Sequence, residues 1–214
     1  LNAPSLIVEE LLNQLVAKRP VSDAVVSPLF LNMIACFWTL PPADGSTSQE
    51  LKNRIWRGSL DVIFQTMSMK PSNMRNPRAL IHMIQEDPDL CAARKRGFTI
   101  FVHAAVHHGA EICQLPDLNL FSTSQATLLS DEFLISEKAY MYEAIASLTN
   151  VMPPADQMRY LDTIITPMKN IVMSTPIALF PQILCGATKE LSDQRAMLRD
   201  AVSVLSGVLR RCGT

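Results

Sequence analysis

Glycine is scarce in this chain, 7 of 214 residues, and Asn-Gly or Asp-Gly hairpin signals are few. Both shortages argue against a β-rich fold. The glycines never cluster, so a loop that cradles phosphates is missing as well. Neither sign of charge prevails: 19 Lys and Arg stand against 20 Asp and Glu, a net charge of -1. No global basic field exists to attract nucleic acid or an anionic membrane. The five cysteines are widely spaced, without a CxxC pair, which disfavours a disulfide framework or a zinc ribbon and fits a reducing compartment. The longest apolar stretch, Leu29 to Leu40, includes Asn32 and Thr39. It falls short of the roughly 20 residues needed to cross a bilayer. The chain starts at Leu1 rather than Met, and its first residues form no charged region followed by an apolar core, so it is read as a fragment of something longer.

What is present is apolar and helix-forming. Hydrophobic residues make up 48% of the chain, ample for a continuous core, and Leu, Ala, Met and Gln abound. Several prolines follow a residue suited to N-capping, the position where proline loses no hydrogen bond and presets φ. Asn76-Pro77 is expected to open a helix over 78–86, Asp87-Pro88 one ending at Gly109, and Thr175-Pro176 one over 177–189. From Leu90 to His108 apolar residues recur at three and four, the period of a helical face, with Gly109 as a natural left-handed stop. Ser136 is expected to cap a helix running to Asn150. Beyond Pro153-Pro154, residues 155–172 form a second stripe, read as its antiparallel partner, with Pro167 expected to kink it. Further helices are read at 6–18, 25–40, 49–69, 125–129 and 192–211.

Amphipathic helices of ten to twenty residues, short polar turns and no sustained heptad fit either a closed bundle or an α-solenoid. The expectation is all-α: an α-α superhelix of HEAT-like hairpins, centred on 78–109 and 136–172, with 1–214 as one continuous segment of a longer array.

The chemical candidates are few. His103 and His107 lie four apart, a spacing that lets two imidazoles chelate one metal, with His108, Glu111 and Cys113 nearby. Ala-Ala-Val separates the two histidines, so the Glu of a zinc protease motif is missing. The competing reading places these histidines at a helix C-terminus, where the dipole favours a positive ring. Arg94-Lys95-Arg96, with Arg75 and Arg78, suggests either a phosphate-binding patch or a solvated face with one arginine paired to Asp87 or Asp89. Methionines at 67, 69, 83, 141, 158, 168 and 173 suit core packing first and an adaptable groove second. Trp38 and Trp56 read as core or inter-repeat anchors. No nucleophile elbow or Cys-His signature occurs, and no catalytic, cofactor-binding or metal-ligating residue is assigned.

Two stretches carry a resemblance. Residues 79–94, an apolar helix ending at Glu86-Asp87-Pro88 with Arg94 early in the next, resemble a HEAT repeat. Residues 129–148 with Tyr142-Glu143-Ala144, and 157–168 with Ile165-Thr166-Pro167, resemble a central hairpin of the importin-β superfamily, nearest to exportins for transfer RNA and small structured RNA. The resemblance implies a non-enzymatic nuclear transport receptor, without a cofactor, shuttling between nucleus and cytoplasm. It would bind Ran-GTP, protein or RNA cargo, and nucleoporins. The N-terminal Ran-contact helices and the acidic loop of that family have no counterpart here, so no Ran- or cargo-contact residue is carried over. The alternatives are a HEAT-type scaffold of another assembly and a metalloprotein built on His103 and His107.

Overall fold

A computed structural model of the protein describes residues 10, 32, 49–72, 79–116, 118–186 and 188–212. Of the expected helices at 6–18 and 25–40 only Glu10 and Asn32 are described, each helical; the rest of both, together with Trp38, Arg75 and Arg78, lies outside the described residues. Among the described residues there are eight α-helices and no strand. They are α1 (Gln49–Met67), α2 (Leu80–Glu86), α3 (Pro88–Cys113), α4 (Leu120–Leu129), α5 (Ile135–Leu148), α6 (Pro154–Ser174), α7 (Phe180–Cys185) and α8 (Lys189–Arg211). Short 3-10 turns at Thr149–Val151 and Ile177–Leu179 precede α6 and α7.

Local chemistry explains most of the boundaries. Asp87 caps α3 as expected, its carboxylate accepting the Leu90 N–H at 2.9 Å, with Pro88 at the first helical position. Asn119 does the same for α4, accepting from Ser122 N–H at 3.0 Å, so that helix begins well before the expected Gln125. Thr188 caps α8. The expected continuous helix over 177–189 is interrupted at Gly186, whose φ of 59° and ψ of 34° close α7 in the left-handed region that glycine enters without strain. Ser136 does not cap α5. The helix starts one residue earlier, and the Glu137 carboxylate reaches back to accept the Leu134 N–H at 2.8 Å, satisfying an amide that the serine hydroxyl would leave open. Helix α6 runs through Pro167 to Ser174.

Gly109 does not end α3. The helix continues to Cys113, with a local departure at His108, φ −135° and ψ 19°. Gly109 is buried, and a Cβ there would stand 3.8 Å from the Leu148 side chain. It serves packing rather than termination.

The helices pair in a register that differs from the expected hairpins. Along α1 and α3, Met67 lies against Gly97, Phe64 against Phe101 (ring centroids 5.1 Å) and Trp56 against His108 (4.9 Å), so these two long helices run antiparallel. The short α2 packs on the start of α3, within the connection between them. Helices α3 and α5 run in the same direction, since Arg94 meets Glu137 near their beginnings and Gly109 meets Ser147 and Leu148 near their ends. On its other side α5 packs against α8, with Glu143 beside Gly207 and Asn150 donating to the Arg211 carbonyl. Helix α6 packs on α8 rather than back along α5: its Gln157 is joined through Asn150 to the end of α8. The packed neighbours are therefore α1 with α3, α4 with α5, and α6 and the short α7 with α8, while α5 lies between α3 and α8 in the row α3–α5–α8. Residues 136–172 are not one hairpin. They cross from the second helix of one pair into the first helix of the next, because the Pro153-Pro154 link sends α6 away from α5.

At the centre of the row, α5 is buried nearly all round. Its Ala144, Ala146 and Ser147 let both neighbours approach closely, while Met141 and Ile145 fill the space with Phe98, Phe101 and Ile112.

One ion pair fixes the joint between α3 and α5. Arg94, with 1% of its side chain exposed, donates from Nε and Nη2 to the two carboxylate oxygens of Glu137, both at 2.8 Å. Its Nη1 donates to the Met69 carbonyl at 2.8 Å, Nη2 also reaches the Glu132 carbonyl at 3.0 Å, and the guanidinium lies 5.1 Å from the Phe133 ring centre. Arg94 is thus neither on a solvated face nor paired with Asp87 or Asp89.

Replacing Arg94 with Met leaves a buried carboxylate unpaired and is predicted to cost about 3–5 kcal/mol in urea unfolding, with Arg94→Met/Glu137→Leu recovering a large part. Gly97→Ala places a Cβ 2.9 Å from Met67 Cγ and 3.1 Å from its backbone nitrogen. It should cost about 1–3 kcal/mol in the same assay, despite alanine's better helix propensity.

Candidate functional site

The i, i+4 spacing brings His103 and His107 together as expected, their ring centres 4.5 Å apart on α3. His103 Nδ1 is buried and has no hydrogen-bond partner among the described residues. Its burial, reinforced by His107, His108 and Arg96, holds the ring below the ordinary imidazole pKa. His107 is exposed.

The other members of the sequence cluster go elsewhere. The break at His108 turns its ring onto Trp56, where burial lowers its pKa while Glu111, 3.9 Å from Nδ1, acts in the opposite sense. Cys113 is half-buried, and burial raises its thiol pKa. With Leu118, Asn119, Leu120 and Phe121 it lines a cavity of about 450 Å³ beside the start of α4. Among the described residues no three His, Cys, Asp or Glu side chains converge in a way that would hold a metal ion. Two imidazoles provide half of a tetrahedral set and no general base placed beside it.

The basic run is dispersed in the same manner. Arg94 is consumed by Glu137, Arg96 donates from Nε to Asn32 Oδ1 at 2.7 Å, and Lys95 is exposed. The methionines divide: Met67 and Met141 are fully buried in the main core, Met69 belongs to the smaller cluster under α2, and Met158 and Met173 are exposed. Trp56 packs on the main core, as an anchor should.

Sequence reasoning passed over the surface where α6 meets α8. Val172, Val202, Leu205, Ser206, Leu209 and Arg210 line an open groove of about 420 Å³ there. The signal lay in α8 itself, where Leu198, Val202, Leu205 and Leu209 succeed one another at four, three and four, beside the separate stripe Ala201, Val204 and Val208. Helix α8 packs against α5, α6 and α7 and still leaves Val202 and Leu209 exposed.

No protein-family model, curated protein or solved structure matches this chain. Among the described residues no helix is long and apolar enough to cross a membrane.

The lowered imidazoles have a consequence for stability. Because the folded-state values of His103 and His108 lie below the ordinary 6.5, the unfolded chain takes up protons first as the pH falls. Their stabilising contribution is complete above 6.5, declines as the pH drops through that value, and is lowest below the folded-state values. Urea midpoints measured across this range should fall with pH. His103→Gln should flatten the profile, and His103→Gln/His108→Gln should flatten it further.

Proposed function

We propose that this protein is a non-catalytic binding protein that works through stacked helix pairs, an α-solenoid of HEAT-like type, and that it serves as a nuclear transport receptor of the exportin kind. The observation that carries the first part is the row α3–α5–α8. Its two joints are alike in kind, each an apolar stripe reinforced by an Arg–Glu pair, and each outer helix packs on α5. Contact between neighbours only is what distinguishes an open array from a closed bundle, and such an array presents extended surfaces suited to distributed, weak contacts. The scattering of the histidines and of the basic run is in keeping with a binding surface.

The narrower transport reading is supported by the resemblance of 129–168 to an importin-β hairpin. In the observed register those residues span a junction between pairs, α5 to α6. Ran-GTP, nucleoporins and a protein or RNA cargo are the partners this reading names. A HEAT-type scaffold without Ran dependence is the second reading, favoured by the same row of helices. The metalloprotein reading keeps only the His103–His107 contact.

Immobilised protein incubated with Ran in its GTP-locked and GDP-bound forms separates the two. Transport predicts saturable retention of the GTP form, about tenfold or more over the GDP form. Equal retention, or none, leaves the scaffold.

A further inference from the structure

Most of the polar side chains along α3 are already engaged. Arg94 is taken up by Glu137, Arg96 donates to Asn32, and His108 lies on Trp56 with Glu111 3.9 Å from its Nδ1. His103 and His107 are left with each other, ring centres 4.5 Å apart and ring planes inclined by 45°. His103 is half-buried, and its Nδ1 is a buried nitrogen without a hydrogen-bond partner. A buried polar atom left open costs stability and marks the place of a water or an ion. His107 is exposed, so an ion reaches the two rings from solvent without opening the core.

The separation of the rings discriminates between ions. With a metal–nitrogen bond of about 2.1 Å and the ring centre about 1.2 Å behind the nitrogen, two imidazoles on one ion have centres about 4.7 Å apart at a right angle and about 5.4 Å apart at the tetrahedral angle. The observed 4.5 Å matches the right angle. Structural zinc closes a tetrahedron of protein ligands, and among the described residues no third His, Cys, Asp or Glu joins this pair. Nickel(II) and copper(II) favour imidazole nitrogens in tetragonal arrangements, where water fills the remaining positions.

We propose that His103 and His107 form a surface site for a divalent ion of the nickel or copper type, with His103 Nδ1 and one nitrogen of His107 as its protein ligands. The ion clasps two successive turns of α3 immediately before the non-helical residue His108, and it therefore stabilises the fold by binding it. The site adds a ligand to a binding protein and asks for no catalysis. It is independent of Ran and of the way the helices stack.

Nickel chloride titrated calorimetrically into the full chain, above the ordinary imidazole pKa of about 6.5, tests the site. Nickel is the probe because the free thiols, among them the exposed Cys185 and Cys212, do not reduce it. Saturable uptake of one ion per chain is expected, tighter than that of zinc. His107→Ala removes an exposed ring and should weaken uptake about tenfold or more with the helical circular dichroism unchanged, and His103→Gln should do the same. His82→Ala is the control: His82 and Glu86 form the other exposed i, i+4 pair, 3.2 Å apart, and its loss should leave uptake unchanged. Nickel should raise the urea midpoint of the unaltered chain and of His82→Ala, but not that of His107→Ala. Absence of saturable uptake, as expected if only a water meets Nδ1, would overturn the proposal. So would uptake indifferent to His107→Ala, uptake lost in His82→Ala, zinc bound as tightly as nickel, or a midpoint that nickel does not move.

Discussion

The contact between Arg94 and Glu137 organises the described part of the molecule. A guanidinium and a carboxylate are buried together and are bonded well beyond each other: the arginine also holds the Met69 and Glu132 carbonyls, and the glutamate also holds the Leu134 amide. Four separate pieces of chain are tied at one point, namely the segment after α1, the first turns of α3, the turn before α5 and the start of α5. A buried ion pair contributes little net stability compared with an apolar equivalent, yet breaking it is costly, so its influence falls on specificity. The observed offset between α3 and α5 brings this donor and acceptor set together. Sliding either helix by a turn would strand a charge in the core.

That joint sets the course of the rest of the row. With α3 and α5 aligned in the same direction, Gly109 comes to lie at Leu148, and the small residues of α5 admit α8 on the far side. The α1/α3 contact uses the same device, since Gly97 lets Met67 approach to a distance that any side chain would prevent. Close approach at small residues, sealed by a bidentate or paired charge at the rim, recurs along the row. Where the row reaches α8, Val202 and Leu209 stay exposed beside Val172 of α6.

The histidine cluster shows how sequence proximity misleads. His103, His107, His108, Glu111 and Cys113 lie within eleven residues of one another on α3, and a straight helix would hold His103 and His107 on one face. It does so, but a single non-helical residue at position 108 rotates the last turns of the helix, sending one ring to Trp56 and the thiol to a different cavity. Arg94 misled in the opposite way. Set between Ala93 and Lys95 in a charged run, it looked solvated, and the residue that buries it is 43 positions away.

Helix existence, the cap at Asp87 and the entry of proline at Pro88 were legible in the amino-acid order alone, whereas the Thr188 cap fell inside an expected helix and Pro154 was read as linker. A cap or a proline acts on amides within one turn of itself, and that information is local. The position of Gly186 as a stop was equally local and was overlooked in favour of the longer apolar pattern. Which helix pairs with which, whether Gly109 ends a helix or packs one, and whether Arg94 meets water or Glu137 were decided only in the folded chain. Each depends on close approach and on the desolvation of groups far apart in sequence, and a period of three and four records that a face is apolar without recording what covers it.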